Sequence, residues 1–242
     1  MLCEFVDGSK TAIEMAAVSN ATGVLPDKRG MHGAHSTVRT LKEVFVTKQD
    51  GGVLERSGVV DFAIGVHPGV FLIVKTDNKL IMEGMAQRDM GPGPYYTLFR
   101  PFHLCSVEVP LTVAKAVFYG ESSGHPDKRL HSECIAIATK DLKAGEVLDG
   151  IGEYCYRGSV EVAEVARTER LLPLGIAKGC RLFRDVRGFG EGGCREPCQG
   201  HQGNLRLRPR RRRDPGFIRL VPPLSRRPRD GLSIPAAGSS ML

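Results

Sequence analysis

Residues 2–23 read LCEFVDGSKTAIEMAAVSNATG, and this stretch decides the fold class. Residues 2–6 have the apolar character of a short strand. Residues 8–22 place Ala12, Ile13, Ala16, Ala17 and Ala21 on one side of a helix, which Gly23 and then Pro26 bring to an end. A strand feeding straight into a helix normally lies in a sheet with earlier partners. None precedes this one, so an upstream segment is expected to be missing.

Working outward, residues 26–37 (PDKRGMHGAHST) read as a mobile segment with two glycines and two histidines. The pattern at 41–47 fits a helix or a strand. Residues 59–66 and 70–75 read as strands separated by the turn-like His67-Pro68-Gly69, and residues 79–85 as another after a turn at 76–78. Met90-Gly-Pro-Gly-Pro-Tyr-Tyr96 is a stiff loop, residues 97–104 are extended, and Pro110 opens a helix to residue 119. Beyond about residue 132 short strands alternate with Gly turns: a strand at 134–139, a helix at 160–171, then a run that stops at Val186. The class expected is α+β, with a mixed-sheet domain over 1–130, a small β-rich domain over 131–190 and a disordered basic tail over 191–242.

The charge supports that division. The chain carries a net +7, yet from Arg187 onward there are 12 basic and 4 acidic residues, which leaves 22 basic and 23 acidic before it. The basic character therefore belongs to the tail, and a nucleic-acid partner for the whole chain is not expected. The tail lacks periodicity and is rich in Arg, Gly and Pro. Two readings of it stand. One is a basic segment that contacts acidic partners. The other, favoured by the abrupt stop at Val186, is out-of-frame translation of GC-rich codons. No run of eighteen apolar residues is present and the N-terminus has no signal-peptide pattern, so neither a membrane span nor a leader is expected. Seven scattered cysteines suit reduced thiols in a cytoplasmic protein.

Three sets of residues carry chemistry. Asp7, Lys10 and Glu14 lie at the strand-to-helix junction, where α/β folds present ligand groups. Lys10 and Glu14, four apart, share a helix face. Lys10 can polarise a carbonyl or deliver a proton, and a solvated surface pair is the alternative. Arg29, His32 and His35 sit in a Gly-rich segment suited to anion binding or a lid. A metal there lacks a third ligand. Arg100 and His103 fall inside an apolar stretch that follows Tyr96. Arg100 can hold a carboxylate or phosphate and His103 can act as acid and base, the alternative being an Arg100–Glu108 pair that buttresses a loop. No GxGxxG follows a strand, and no P-loop or nucleophile elbow is present. Cys194, Cys198 and His201 lack a fourth zinc ligand.

Four runs together resemble one family: DGSKTAIEMAAVSNATG (7–23), GVHPGVF (65–71), MGPGPYYTLFRPFHLCSVEVPLTVAKA (90–116), and KDLKAGEVLDGIGEYCYRG (140–158) with LLPLGIAKGCRLFRDV (171–186). They are similar to homoserine-dehydrogenase-like oxidoreductases with a C-terminal SAF (beta-clip-like) domain, a set that includes the deoxyxylulose-phosphate-reductoisomerase-like enzymes. The resemblance spans about residues 3–186. It implies an upstream Rossmann domain, a catalytic and dimerising domain over 1–130 and an SAF-like domain over 131–190. It implies NAD or NADP in the full-length family member, with none bound by this chain alone, and a small anionic substrate of polyol-phosphate, sugar-acid or hydroxy-acid type. Onto the matching positions it carries catalytic roles for Lys10, His103 and Glu14, and substrate contacts for Arg100, Asp7 and Tyr96; Arg29 and His32, read from the Gly-rich segment, are expected to join them as substrate contacts. A homodimer is expected. Two other classes compete. One is a non-enzymatic SAF module of the flagellar or pilus assembly type. The other is a nucleic-acid binder acting through the basic tail.

Overall fold

A computed structural model describes residues 8–101, 108–126, 129–188 and 205–206. The architecture is α+β, with small two-stranded sheets and short helices.

Helix α1 (Ser9–Thr22) is bracketed by Gly8 and Gly23, both with positive φ, and the Gly23 N–H bonds to Ser19 O. Its buried face is made of small and polar side chains: Ser9, Ala12, Ala16, Ser19 and Asn20. Small residues let the helix backbone approach a sheet closely. The sheet is an antiparallel hairpin of β7 (Ser132–Ala138) and β8 (Tyr156–Val162), with Ser132 opposite Val162 and Ala138 opposite Tyr156. At one end Ser9 Oγ accepts the Gly158 N–H at 2.7 Å, and a Cβ on Gly158 would stand 3.1 Å from Ser9 Cα. At the other end Asn20 Oδ1 accepts the N–H groups of His131 and Ser132, while Asn20 Nδ2 donates to Ser132 O. Asn20 thus caps the edge of β7 as a strand neighbour would.

The hairpin is also the centre of the main core. Ala136, Ala138, Leu142, Leu148, Tyr156, Leu172, Leu174 and Ala177 pack on one side. Ile135, Ile137, Ala166 and Leu171 pack on the other, against α5 (Ala163–Thr168). The alternation of the two sets along β7 follows the period of two of a strand buried on both faces. Carboxylates staple the turns around it: Asp149 accepts the N–H groups of Tyr154 and Cys155, and Asp185 that of Ala144. Cys134, Cys155 and Cys180 are free thiols, and burial pushes Cys134 up to about 12.

The preceding region is built differently. Strands β1 (Leu25–Pro26) and β3 (Val59–Val60) pair in parallel over two residues, as do β2 (Ala34–His35) and β4 (Ala63–Ile64). Helix α2 (Leu41–Val44) lies between them in sequence and buries Leu41. A longer antiparallel pair joins β5 (Gly69–Lys75) to β6 (Tyr95–Pro101). Their connection carries α3 (Lys79–Ala86), and α4 (Val109–Ala114) continues as a π-helical turn over Lys115–Tyr119. One face of the β5–β6 pair sends Phe71, Ile73 and Phe99 onto Leu41, Phe45 and Leu54.

Five expectations change. Residues 79–85 form a helix, because Asn78 Oδ1 accepts the N–H groups of Leu80 and Ile81 and so caps it. The strand expected at 59–66 is broken at Asp61, whose side chain turns back on the backbone. The helix expected from 160 starts at Ala163, since Val160–Val162 complete β8. Residues 26–37, read as mobile, are packed: Pro26 and Met31 are buried. In the tail, Leu205 is fully buried in the hairpin core, and its carbonyl accepts the Leu172 N–H at 2.8 Å. The rest of 191–242 lies outside the described residues.

Candidate functional site

The loop after β1 is densely hydrogen-bonded. Asp61 organises it. Its carboxylate accepts the backbone N–H groups of His32, Gly33 and Phe62 at 2.8 to 3.1 Å. Burial pushes the Asp61 carboxyl up, and these N–H groups oppose that shift. The loop backbone is unusual: Gly30, Met31 and Gly33 all have positive φ, and Met31 buries its side chain despite it. A β-carbon on Gly33 would stand 2.5 Å from the Phe62 ring, so both its φ and its space require glycine there.

Two side chains of this loop are partnered within the protein. His32 Nε2 lies 2.9 Å from Asp27 Oδ2, and both side chains are nearly buried. Asp27 also accepts the Glu55 N–H at 2.7 Å and stands 3.6 Å from Arg56 Nε. Burial alone would raise the Asp27 carboxyl, but the Glu55 N–H, His32 and Arg56 together hold it below the ordinary carboxylate range. Arg29 reaches across to the hairpin and the end of α5, where its Nε pairs with Glu161 and its Nη2 with Glu169 at 3.0 Å. Burial opposes the Arg29 charge, and the two carboxylates more than restore it. Arg29 is therefore a structural tie between loop and hairpin, with its donors already turned to carboxylates of its own chain.

The other residues singled out from the sequence fall elsewhere. Lys10 and Glu14 share the exposed face of α1, with Nζ 4.0 Å from Oε1. Arg100, at the end of β6, is exposed and paired with Glu108. Tyr96 is fully buried, and its hydroxyl has no hydrogen-bond partner among the described residues. It packs beneath Gly93, where a Cβ would come within 2.4 Å of that hydroxyl. Asp7 and His103 lie outside the described residues. Sequence reading missed Asp27, Asp61, Glu161 and Glu169. Asp61 carried a usable signal, since a carboxylate inside the apolar run Val59-Val60-Asp61-Phe62 needs a partner. Asp27 carried none.

A second polar cluster fastens the 47–50 turn to the β5–β6 pair. Asp50 Oδ2 accepts from Thr47 Oγ1 at 2.7 Å and from Tyr95 OH at 2.6 Å, with Lys75 Nζ 3.7 Å away. Among the described residues no group of three or more His, Cys, Asp or Glu side chains is placed to hold a metal. Strands β1 and β3, and β2 and β4, pair in parallel over two residues each, with a further parallel bridge between Thr47 and Leu54. No helix among the described residues is long and apolar enough to cross a membrane.

A family model described as the catalytic domain of oxidoreductase DRL matches residues 1–109. No curated protein matches the chain. The match supports an oxidoreductase family, and the matched segment contains every candidate residue named from the sequence, from Asp7 to His103.

Proposed function

We propose that this chain supplies the substrate-side part of an NAD(P)-dependent oxidoreductase of homoserine-dehydrogenase-like or reductoisomerase-like type. The observation that carries the reading is the match of residues 1–109 to an oxidoreductase catalytic domain. The substrate is a small anionic polyol phosphate, sugar acid or hydroxy acid. NAD or NADP serves the full-length family member, and this chain alone binds neither. The β-rich part over 131–190 is the SAF-like domain, a reading supported by its compact hairpin core and short stapled turns. The protein is cytoplasmic.

The chain acts as a homodimer. The support is a set of exposed large apolar side chains outside the main core: Val70, Leu72 and Leu98 on the free face of the β5–β6 pair, and Leu111, Val117 and Phe118 along α4 and its π-helical extension. A helix apolar on every side is ordinarily covered.

Within this reading Lys10 polarises or protonates the reacting oxygen, with Glu14 beside it, and His103 moves a proton. Arg100 anchors the anionic group once it exchanges Glu108 for the ligand. The experiment is calorimetry on the purified chain with two titrants. Glycerol 3-phosphate is expected to bind saturably, whereas NADPH is expected not to bind with the affinity of a dehydrogenase. Tight NADPH binding without any response to glycerol 3-phosphate would overturn the assignment.

A further inference from the structure

The Asp27–His32 contact has features that a simple loop fastening does not need. Asp27 is almost wholly enclosed, with 1% of its side chain exposed, and is held by the Glu55 N–H and Arg56. An ionised carboxylate can only accept hydrogen bonds. Whenever the imidazole of His32 is neutral, this contact calls for its hydrogen on Nε2, directed at Asp27 Oδ2, and leaves the lone pair on Nδ1. Nδ1 makes no hydrogen bond to any described residue, and the side chain retains 10% exposure.

The backbone is fixed as firmly as the ring. Asp61 holds the N–H groups of His32 and Gly33, and the left-handed residues Gly30, Met31 and Gly33 flank His32 in sequence. A non-glycine residue such as Met31 in that region costs on the order of 1 kcal/mol and persists only where its surroundings impose it. Such strain recurs where a side chain must be held in one place. The charged groups tied to His32 are Asp27 on its ring, Arg56 on the other oxygen of Asp27, and Asp61 on its backbone N–H.

We propose that Asp27 and His32 form a proton-transfer dyad, in which His32 Nδ1 exchanges a proton with a hydroxyl group of the ligand and Asp27 positions the ring. When the ligand O–H bond breaks, an Nδ1–H bond forms, and the Asp27 carboxylate balances the imidazolium charge. The reverse step returns the proton to the ligand oxygen. This deepens the oxidoreductase reading and rests on it for the nature of the ligand. It gives Asp27 a positioning role, and it gives His32 a role in proton transfer beyond contact with the substrate.

Two measurements on the intact chain test it, and neither involves a nicotinamide or a substrate, so the dyad can fail while the oxidoreductase reading stands. The first is the tautomer of His32 in the unaltered protein, read from long-range nitrogen–proton NMR correlations. The Nε2–H form is expected, and an Nδ1–H form overturns the dyad. The second is mapped acylation by diethyl pyrocarbonate. His32 is expected to react at its free nitrogen despite its burial, and Asp27→Asn is expected to slow that reaction severalfold by releasing the ring from its orienting partner. A His32 that stays unmodified, or one whose rate ignores Asp27→Asn, overturns the proposal. Should Asp27→Asn fail to fold, the tautomer and the reactivity of the unaltered protein still decide.

Discussion

The β7–β8 hairpin and the β5–β6 pair are both antiparallel ladders of seven residues a strand, yet they end in opposite states. The hairpin is buried on both faces, with Ile135, Ala136, Ile137 and Ala138 all at 1% exposure or less. The β5–β6 pair covers one face only, and Val70 and Leu72 remain more than half exposed on the other. A two-stranded ladder gains little from its own hydrogen bonds, because the unfolded chain satisfies the same groups with water. Burial separates the two. The hairpin holds the unit together, and the N-terminal pair presents surface and loops.

The largest expected effect lies in the hairpin core. Leu205→Ala should cost about 3 kcal/mol, in the range for a fully buried leucine, with urea unfolding as the measurement. The same truncation at exposed Phe118 should leave stability nearly unchanged and instead weaken self-association, read by sedimentation. Equal losses at the two positions would erase the contrast.

Next comes the tie between the two regions. Arg29→Ala leaves the nearly buried Glu161 without its partner, and breaking such a pair costs about 3 kcal/mol. Arg29→Lys should recover only part of the loss, since one ammonium cannot serve Glu161 and Glu169 as the guanidinium fork does.

The acid limb of stability offers a smaller, signed test. The Asp27 carboxyl is lowered from its ordinary 3.8, so the stability it contributes is present above that value and is lost as pH falls through the lowered one. Asp61 is raised, so its protonation as pH falls favours the fold and runs the other way. Asp27→Asn should therefore flatten the fall in stability below about pH 4, the ordinary range of an aspartate, when urea midpoints are compared across pH. The smallest effect belongs to the exposed Lys10–Glu14 pair. Lys10→Ala should change stability by less than about 0.5 kcal/mol, so any large loss of ligand binding on that substitution would be functional.

Much of the scaffold was legible in the sequence because its signals are local. Helix α1 followed from its spacing and from Gly23, and β5 and β7 from apolar runs between turn residues. Helix α3 is not legible in the sequence because its apolar residues suit either period, and Asn78, whose cap decides it, reads equally as a turn residue. The loop at 26–37 was misread for a different reason. Its order comes from Asp61, 29 residues after His32, and from Glu161, 132 residues after Arg29. Gly, Asp, Arg and His in close succession look mobile until such distant partners are known. Leu205 was hidden likewise, inside a segment whose composition argues against packing. At the site, His32 and Arg29 were named, but Arg29 is committed to the hairpin and the partner of His32 was unforeseen.

The central claim is that the region from Gly8 to Pro101 presents the ligand site while the β7–β8 module holds the fold. Backbone amide NMR during titration with glycerol 3-phosphate tests it most directly. Saturable shifts are expected at residues 8–14, 27–35, 59–64 and 95–101, with the hairpin core from Ser132 to Val162 unmoved. Shifts confined to the hairpin, or none anywhere, would contradict it.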